Sequence, residues 1–325
     1  MNFHERPPFV CAITRNQIGV NIFGIDSKLK PLCETGTFTM FLPNYGCISF
    51  PFSTEYEIWH VNTTSRFVTH STDLKRIYVG GDLEGLAKGE TIPYLAYGLI
   101  EKQGQAENEV TMHAAVVAQG DQSILIIGKG GSGKTTLSLE LCLKYGFKLV
   151  GNDLVVIKND RGGIKAVGGT KHFFVRLEVL RTHHPQLLPH FPSVPVYDPW
   201  ISRASILPSQ ISVQTVDFPV TINQAIVVHI SSTEKSLKIS PVDLRWARLY
   251  LFENLSRYIR RVCLPVLMGE DDQSWFYAPS LDSPNLQQKR AELIQQIICN
   301  LNLVHISGSL KEVARHIAST FGGRN

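Results

Sequence analysis

Short apolar runs parted by turn residues mark the first hundred positions. Residues 10–13, 18–23 and 38–42 are β-type runs of this kind. Residues 56–61 alternate apolar and polar with period two, which predicts a half-buried strand, and 76–82 read as a strand ending in a turn. A longer apolar stretch at 92–100 predicts a helix packed back on those strands. His60, His70 and Asp73 lie close in sequence without metal-ligand spacing and read as surface residues. The polar, unpatterned residues 103–109 predict a linker. The chain then divides into a β-rich N-terminal domain, 1–106, and a second domain, 107–325.

Beyond the linker the pattern changes. Residues 110–118 predict a strand, Gly120-Asp121 a hairpin turn, and 123–127 a buried strand. That strand runs into Gly128-Lys129-Gly130-Gly131-Ser132-Gly133-Lys134-Thr135, which satisfies G-x-x-x-x-G-K-[ST] in full, with Thr136 following. Leu137, Leu139, Leu141, Cys142 and Leu143 then supply apolar helical faces, and Gly146 predicts the helix end. A glycine-rich path lets backbone N–H groups converge on a phosphate without side chains in between. The helix that follows turns free N–H groups and its positive dipole end toward the anion. Lys134 adds a charge for the outer phosphates, and the Thr135 hydroxyl is placed to ligate magnesium. His113 is expected on a strand antiparallel to and beside the one that feeds this turn. Asp153 falls soon after the helix, leaving room for a turn and one strand.

Later signals are weaker. Gly162-Gly163 marks a hairpin, and 168–178 reads as a turn carrying Lys171, His172 and Arg176. Phosphate or substrate contact and a solvated turn are equally good readings of those three. Six prolines between Pro185 and Pro208 stud a segment without periodicity, either a substrate loop or a packed connection. Residues 224–230 predict a central strand with His229 packed in it. Pro241-Val242-Asp243 opens a helix through Arg245, Arg248, Glu253, Arg257, Arg260 and Arg261, whose cations read mostly as a solvated face, with phosphate contact by one or two of them as the alternative. A helix at 287–301, a strand at 303–308 and a helix at 310–319 close the chain.

Composition narrows the class. The chain has 325 residues, 43% hydrophobic and 18% charged, as a soluble globular protein of about two domains would. A net charge of +4 does not argue for nucleic acid, yet suits an anionic nucleotide. The six cysteines show no C-x-x-C spacing and read as small buried thiols rather than a disulfide framework or zinc site. The first residues lack the apolar core of a signal peptide, and no uncharged apolar run approaches the roughly 18 residues a membrane span needs. A cytoplasmic protein without membrane contact is expected.

His113, the turn from Gly128 to Thr135 and Asp153 together resemble the catalytic domain of the bacterial HPr kinase/phosphorylase family. Its core relatives include ATP-dependent phosphoenolpyruvate carboxykinase. The resemblance covers residues 110–160 and implies an α/β, HPr kinase-like P-loop domain with a mixed central sheet. It implies ATP and Mg2+ as cofactors, with residues 128–136 on the phosphates and Thr135 and Asp153 on the metal. Asp153 is the best candidate for the base, with the magnesium-ligand role as its main rival, and His113 is placed to hydrogen-bond Asp153 or the γ-phosphate. More divergent relatives look like kinases of peptide serines, including those that modify lasso-peptide precursors. The expectation is therefore transfer of the γ-phosphate to a serine or threonine hydroxyl of a peptide or small protein. The family carries adjacent acidic residues where this chain has Asn152-Asp153, so transfer without efficient phosphate-driven reversal is expected. An ATP-binding regulator that transfers nothing and a kinase of a small-molecule hydroxyl stand as alternatives. A homo-oligomer is compatible with each.

Overall fold

The computed structural model describes residues 5–35, 42–88, 90–160, 162–190, 203–234, 236–260, 266–267, 275–276 and 278–321. The chain is a mixed α/β protein that separates into two compact units, Met1–Val110 with Glu253–Arg290, and Thr111–Phe252 with Ala291–Asn325. Among the described residues no helix is long and apolar enough to cross a membrane.

The first unit is built on β1 (Phe9–Arg15), β2 (Ile18–Phe23), β3 (Tyr45–Ile48), β4 (Glu57–Val61), β5 (Phe67–His70) and β6 (Arg76–Gly80). They form one sheet in the order β3-β1-β2-β4-β6-β5. The strand expected at 38–42 lies outside the described residues except for Leu42. β4 is not half-buried as its alternation predicts. It runs between parallel neighbours β2 and β6, and Glu57, Ile58, Trp59 and His60 are all buried. Its polar groups bond within the protein, Glu57 accepting from Arg76 Nε and Trp59 Nε1 at 2.8 Å each, and His60 Nε2 meeting Gly81 O at 3.0 Å. His60 is thus a core residue, and burial lowers its pKa. After α1 (Leu29–Glu34) and α2 (Leu83–Lys88), the long helix α3 (Thr91–Ala106) packs on β1 and β2. It consumes most of the expected linker, since it continues to Ala106 and β7 (Glu109–His113) begins three residues later.

In the second unit, β8 (Ala115–Gln119) and β9 (Gln122–Ile127) form the predicted hairpin. Helix α4 (Lys134–Tyr145) follows, ending at Gly146 in the left-handed conformation, as its sequence predicts. Next come β10 (Lys148–Gly151), β11 (Leu154–Asp160), β12 (Gly163–Gly169), β13 (Phe173–Arg176), α5 (Leu177–His183), β14 (Arg203–Ile206), β15 (Val220–Thr221), β16 (Gln224–Ile230) and β17 (Lys238–Pro241). Helix α6 (Leu244–Arg260) begins in this unit and ends in the first, which also holds the short pair β18 (Val266–Leu267) and β19 (Trp275–Phe276). Helix α7 (Pro284–Asn300) begins in the first and ends in the second, and β20 (Val304–Gly308) and α8 (Leu310–Phe321) complete the order. The main sheet runs β10-β8-β9-β16-β20-β17, with β9, β16 and β20 parallel and the others antiparallel to their neighbours. β16 is central as predicted, but His229 is exposed on it rather than packed. Helices α4 and α8 cover one face, burying Leu137, Leu141, Val313 and Ile317 against Ile124, Ile126, Ile226 and Val228.

The run 110–118 is two strands, not one. The Ala114 N–H bonds Asp153 O at 3.1 Å, and the chain leaves the sheet of β15-β12-β11-β7 for the main sheet at that residue. Of the proline-rich segment, Pro192, Pro195 and Pro199 lie outside the described residues. Its flanks are packed 3-10 turns at Pro185–His190 and Pro208–Ile211.

One buried group gives a pH test of this core. His184, fully buried after α5, stands 3.6 Å from Glu140 of α4, and burial holds its pKa down at about 4. Between its ordinary 6.5 and that value the unfolded chain binds the proton and the folded chain does not. Stability should therefore fall as pH drops through this window, by about 3 kcal/mol. Thermal melts from pH 7 to pH 4 should show a shallower decline in His184→Gln. Parallel declines would assign the effect to another group.

Candidate active site

The phosphate-type loop is anchored at both ends. β9 enters it between β8 and β16, with residues 123–127 buried. Beyond the loop the Ile230 N–H donates to Ser132 O at 2.9 Å. Gly133 has φ +92°, and a β-carbon there would stand 2.5 Å from Ile230 Cγ1, so only glycine fits. Gly128 is closed in likewise, by the Ser132 hydroxyl. Around Gly130 nothing lies within 4 Å of where a β-carbon would be, and Lys129, Gly130 and Gly131 are exposed. The loop is thus tight on its protein side and open on the other. Helix α4 starts under it with no acidic residue in its first turn, so its free N–H groups face outward unopposed. Ser132 Oγ, buried within the loop, has no hydrogen-bond partner among the described residues.

Lys134 does not project into solvent from the helix start. It is buried, with Nζ donating to Gly128 O at 2.8 Å and Lys129 O at 3.2 Å. The Tyr250 hydroxyl of α6 also donates to Gly128 O, and Trp246 stacks on Tyr250 with ring centroids 4.9 Å apart. The sequence signal for Tyr250 was its spacing from Trp246, i to i+4 on a helix. Thr135 is half-buried and Thr136 buried.

Asp153 sits where β10 turns into β11. The Leu154 N–H bonds Asn152 O at 2.9 Å across it, a three-residue turn that holds Asp153 at φ +70°. Such a conformation is costly for a residue with a side chain and recurs at functional sites. Its carboxylate Oδ1 lies 3.1 Å from His113 Nε2, both side chains about one-fifth exposed. Asn152 points the other way. Fully buried, its Oδ1 accepts from Ser138 Oγ of α4 at 3.1 Å and its Nδ2 donates to His172 O at 3.0 Å. A carboxylate could accept the first bond but not donate the second. Asn152 therefore ties the turn to the helix, and Asp153 is the acidic side chain left facing out.

Topology brings these parts together. β8 is antiparallel to both β9 and β10, so the end of β9, the end of β10 and the start of β8 share one sheet edge. The loop 128–135 leaves the first, Asp153 follows the second, and His113 precedes the third. Two strand spacings, about 10 Å, separate the first two ends. Ligands of open α/β sheets bind outside the carboxyl ends of strands, and the ends of β9 and β10 form such a place.

Of the three side chains that a turn at 168–178 left undecided, two are engaged by the protein itself. Lys171 Nζ donates to Val150 O and Val216 O at 2.6 Å each and lies over the Phe218 ring, and burial lowers its pKa to about 8. His172 meets Ser205 Oγ at 3.1 Å and stacks on Phe174. Arg176 is half-buried at the end of β13. Its Nη2 lies 4.0 Å from where a β-carbon on Gly131 would stand.

No protein-family model matches the chain, and no curated protein matches it. Among solved structures it is similar to the Hpr(Ser) kinase/phosphatase from Coxiella burnetii, at 15% identity and a TM-score of 0.29. That match covers 64% of this chain and 91% of the other. The relationship is distant, and the chemistry is read from the geometry above.

Proposed function

We propose that this chain is an ATP-dependent kinase that transfers the γ-phosphate to a serine or threonine hydroxyl of a peptide or small protein. The observation that carries this reading is the shared sheet edge, which sets a phosphate-cradling loop beside a strained, outward-facing carboxylate held by a histidine. Phosphoryl transfer asks a protein mainly for positioning and for neutralisation of charge.

The open side of the loop and the unpaired Ser132 hydroxyl fit a polyphosphate. Backbone N–H groups of residues 130–134 would hold the β-phosphate, and Lys134 would exchange its two loop carbonyls for phosphate oxygens. Among the described residues no three His, Cys, Asp or Glu side chains form a ready metal cage. Magnesium takes few protein ligands alongside phosphate and water, so the Thr135 hydroxyl would hold it on the protein side, and a metal-ligand role for Asp153 is the rival to its role as base. When bound, the ion neutralises charge on the phosphate oxygens. Asp153 orients the acceptor hydroxyl and takes its proton, and His113 holds the carboxylate in place.

The test is incubation with magnesium, labelled ATP and candidate acceptor peptides. Labelled peptide and ADP, formed together, are expected. ATP bound but unchanged in the presence of peptides would favour a regulator, and transfer to a small alcohol alone would favour a metabolite kinase. Within this reading His113→Ala should lower turnover by about ten- to hundred-fold, less than loss of the base itself. Wild-type turnover in that variant would reduce His113 to a packing residue.

A further inference from the structure

The Arg176 side chain makes no hydrogen bond or ion pair with the described residues, although it is half-buried beside Gly131. No carboxylate among the described residues is paired with it, and its Nη2 faces the loop at Gly131. The loop next to it is the part of the chain built to hold an anion. We propose that Arg176 is a catalytic residue whose guanidinium binds the peripheral oxygens of the phosphoryl group as it transfers. The proposal rests on the kinase reading above and goes beyond it, since neither the loop motif nor the His113–Asp153 pair includes this residue.

Its placement is rigid. Arg176 ends β13 and precedes the first turn of α5, in extended backbone at φ −66° and ψ 139°. Its neighbours Val175 and Leu177 are buried in the core that holds Leu137 and Leu141 of α4, the helix that starts at the loop. β13 packs directly on that helix. A shift of Arg176 relative to the loop would open this core, so the backbone that carries the guanidinium is fixed beside the loop.

The two cations near the loop divide the work by shape. Lys134 is a point charge, whereas a guanidinium presents a planar fork that meets two phosphate oxygens at once. In the transfer, the bond from the acceptor oxygen to phosphorus forms while the bond from phosphorus to the bridging oxygen breaks. The electron pair leaves on ADP, and the acceptor proton goes to Asp153. Arg176 exchanges neither protons nor electrons. It offsets charge on the three peripheral oxygens, which is needed most at the transition state, so its loss should act on turnover more than on nucleotide affinity.

The experiment compares wild type, Arg176→Gln and Arg176→Lys by calorimetric titration with MgADP, with and without aluminium fluoride, and by turnover of MgATP with acceptor. MgADP affinity should stay within about two-fold in both variants, since ADP lacks the transferring group. In Arg176→Gln, turnover and the tightening of MgADP by aluminium fluoride should both drop by about 10³-fold. Arg176→Lys should recover only part, since it restores the charge and not the fork. Unchanged tightening and turnover in Arg176→Gln would overturn the proposal, as would an equal loss of plain MgADP affinity in both variants. A wild type that binds no MgADP would remove the kinase reading, and this inference with it. The two failures are thereby told apart.

Discussion

Asp153→Asn should bind MgATP as the wild type does and turn over about 10²- to 10⁴-fold more slowly. The substitution keeps the shape and removes the proton acceptor. It also suits the backbone, because asparagine is among the residues that best tolerate the positive φ found here. The Asn152 anchor to Ser138 and His172 is untouched, so the turn should keep its place. A metal-ligand role gives a different result: MgATP would bind more weakly and the magnesium dependence would shift. Titrating MgATP into the variant and measuring turnover across magnesium concentrations separates the two. Turnover near the wild-type rate would sink both roles.

Lys134→Ala should abolish transfer and weaken MgATP by roughly ten- to hundred-fold, the range for losing a charge-assisted hydrogen bond. The melting temperature of the unliganded chain should hold, for a reason only the structure supplies. Lys134 is buried, but its partner Gly128 O retains the Tyr250 hydroxyl, and its other carbonyl partner belongs to Lys129, which is exposed to water. Isotope transfer assays with melts of the same preparations check both halves. Phosphate transfer at the wild-type rate would remove the core of the kinase reading.

The loop and its helix were legible because both are local. Glycine spacing, the Lys134-Thr135 pair and the Gly146 stop are consecutive features, and the backbone adopts them with little help from elsewhere. Misreadings cluster where distant residues decide. Residues 56–61 alternate like a half-exposed strand, yet Arg76 pairs with Glu57 and Gly81 O meets His60 Nε2, so both faces are buried. His229, at the exposed end of a buried strand, was mistaken in the opposite direction. Lys171, His172 and Arg176 could not be ranked by spacing, because Val150, Val216 and Ser205 are separated from them in sequence by many residues.

By itself the sequence determined that a strand, a glycine-rich turn and a helix start would form at 123–145. Local conformational preference and hydrophobic period suffice for that. It also placed His113 and Asp153 as candidates. Only the tertiary structure decided that they meet, because the break at Ala114 is made by a hydrogen bond to Asp153 O and not by any residue preference at 114. It likewise decided which way Asn152 and Asp153 face. Two adjacent residues must diverge when the turn between β10 and β11 is tight, and Ser138 and His172 capture the one that can both donate and accept.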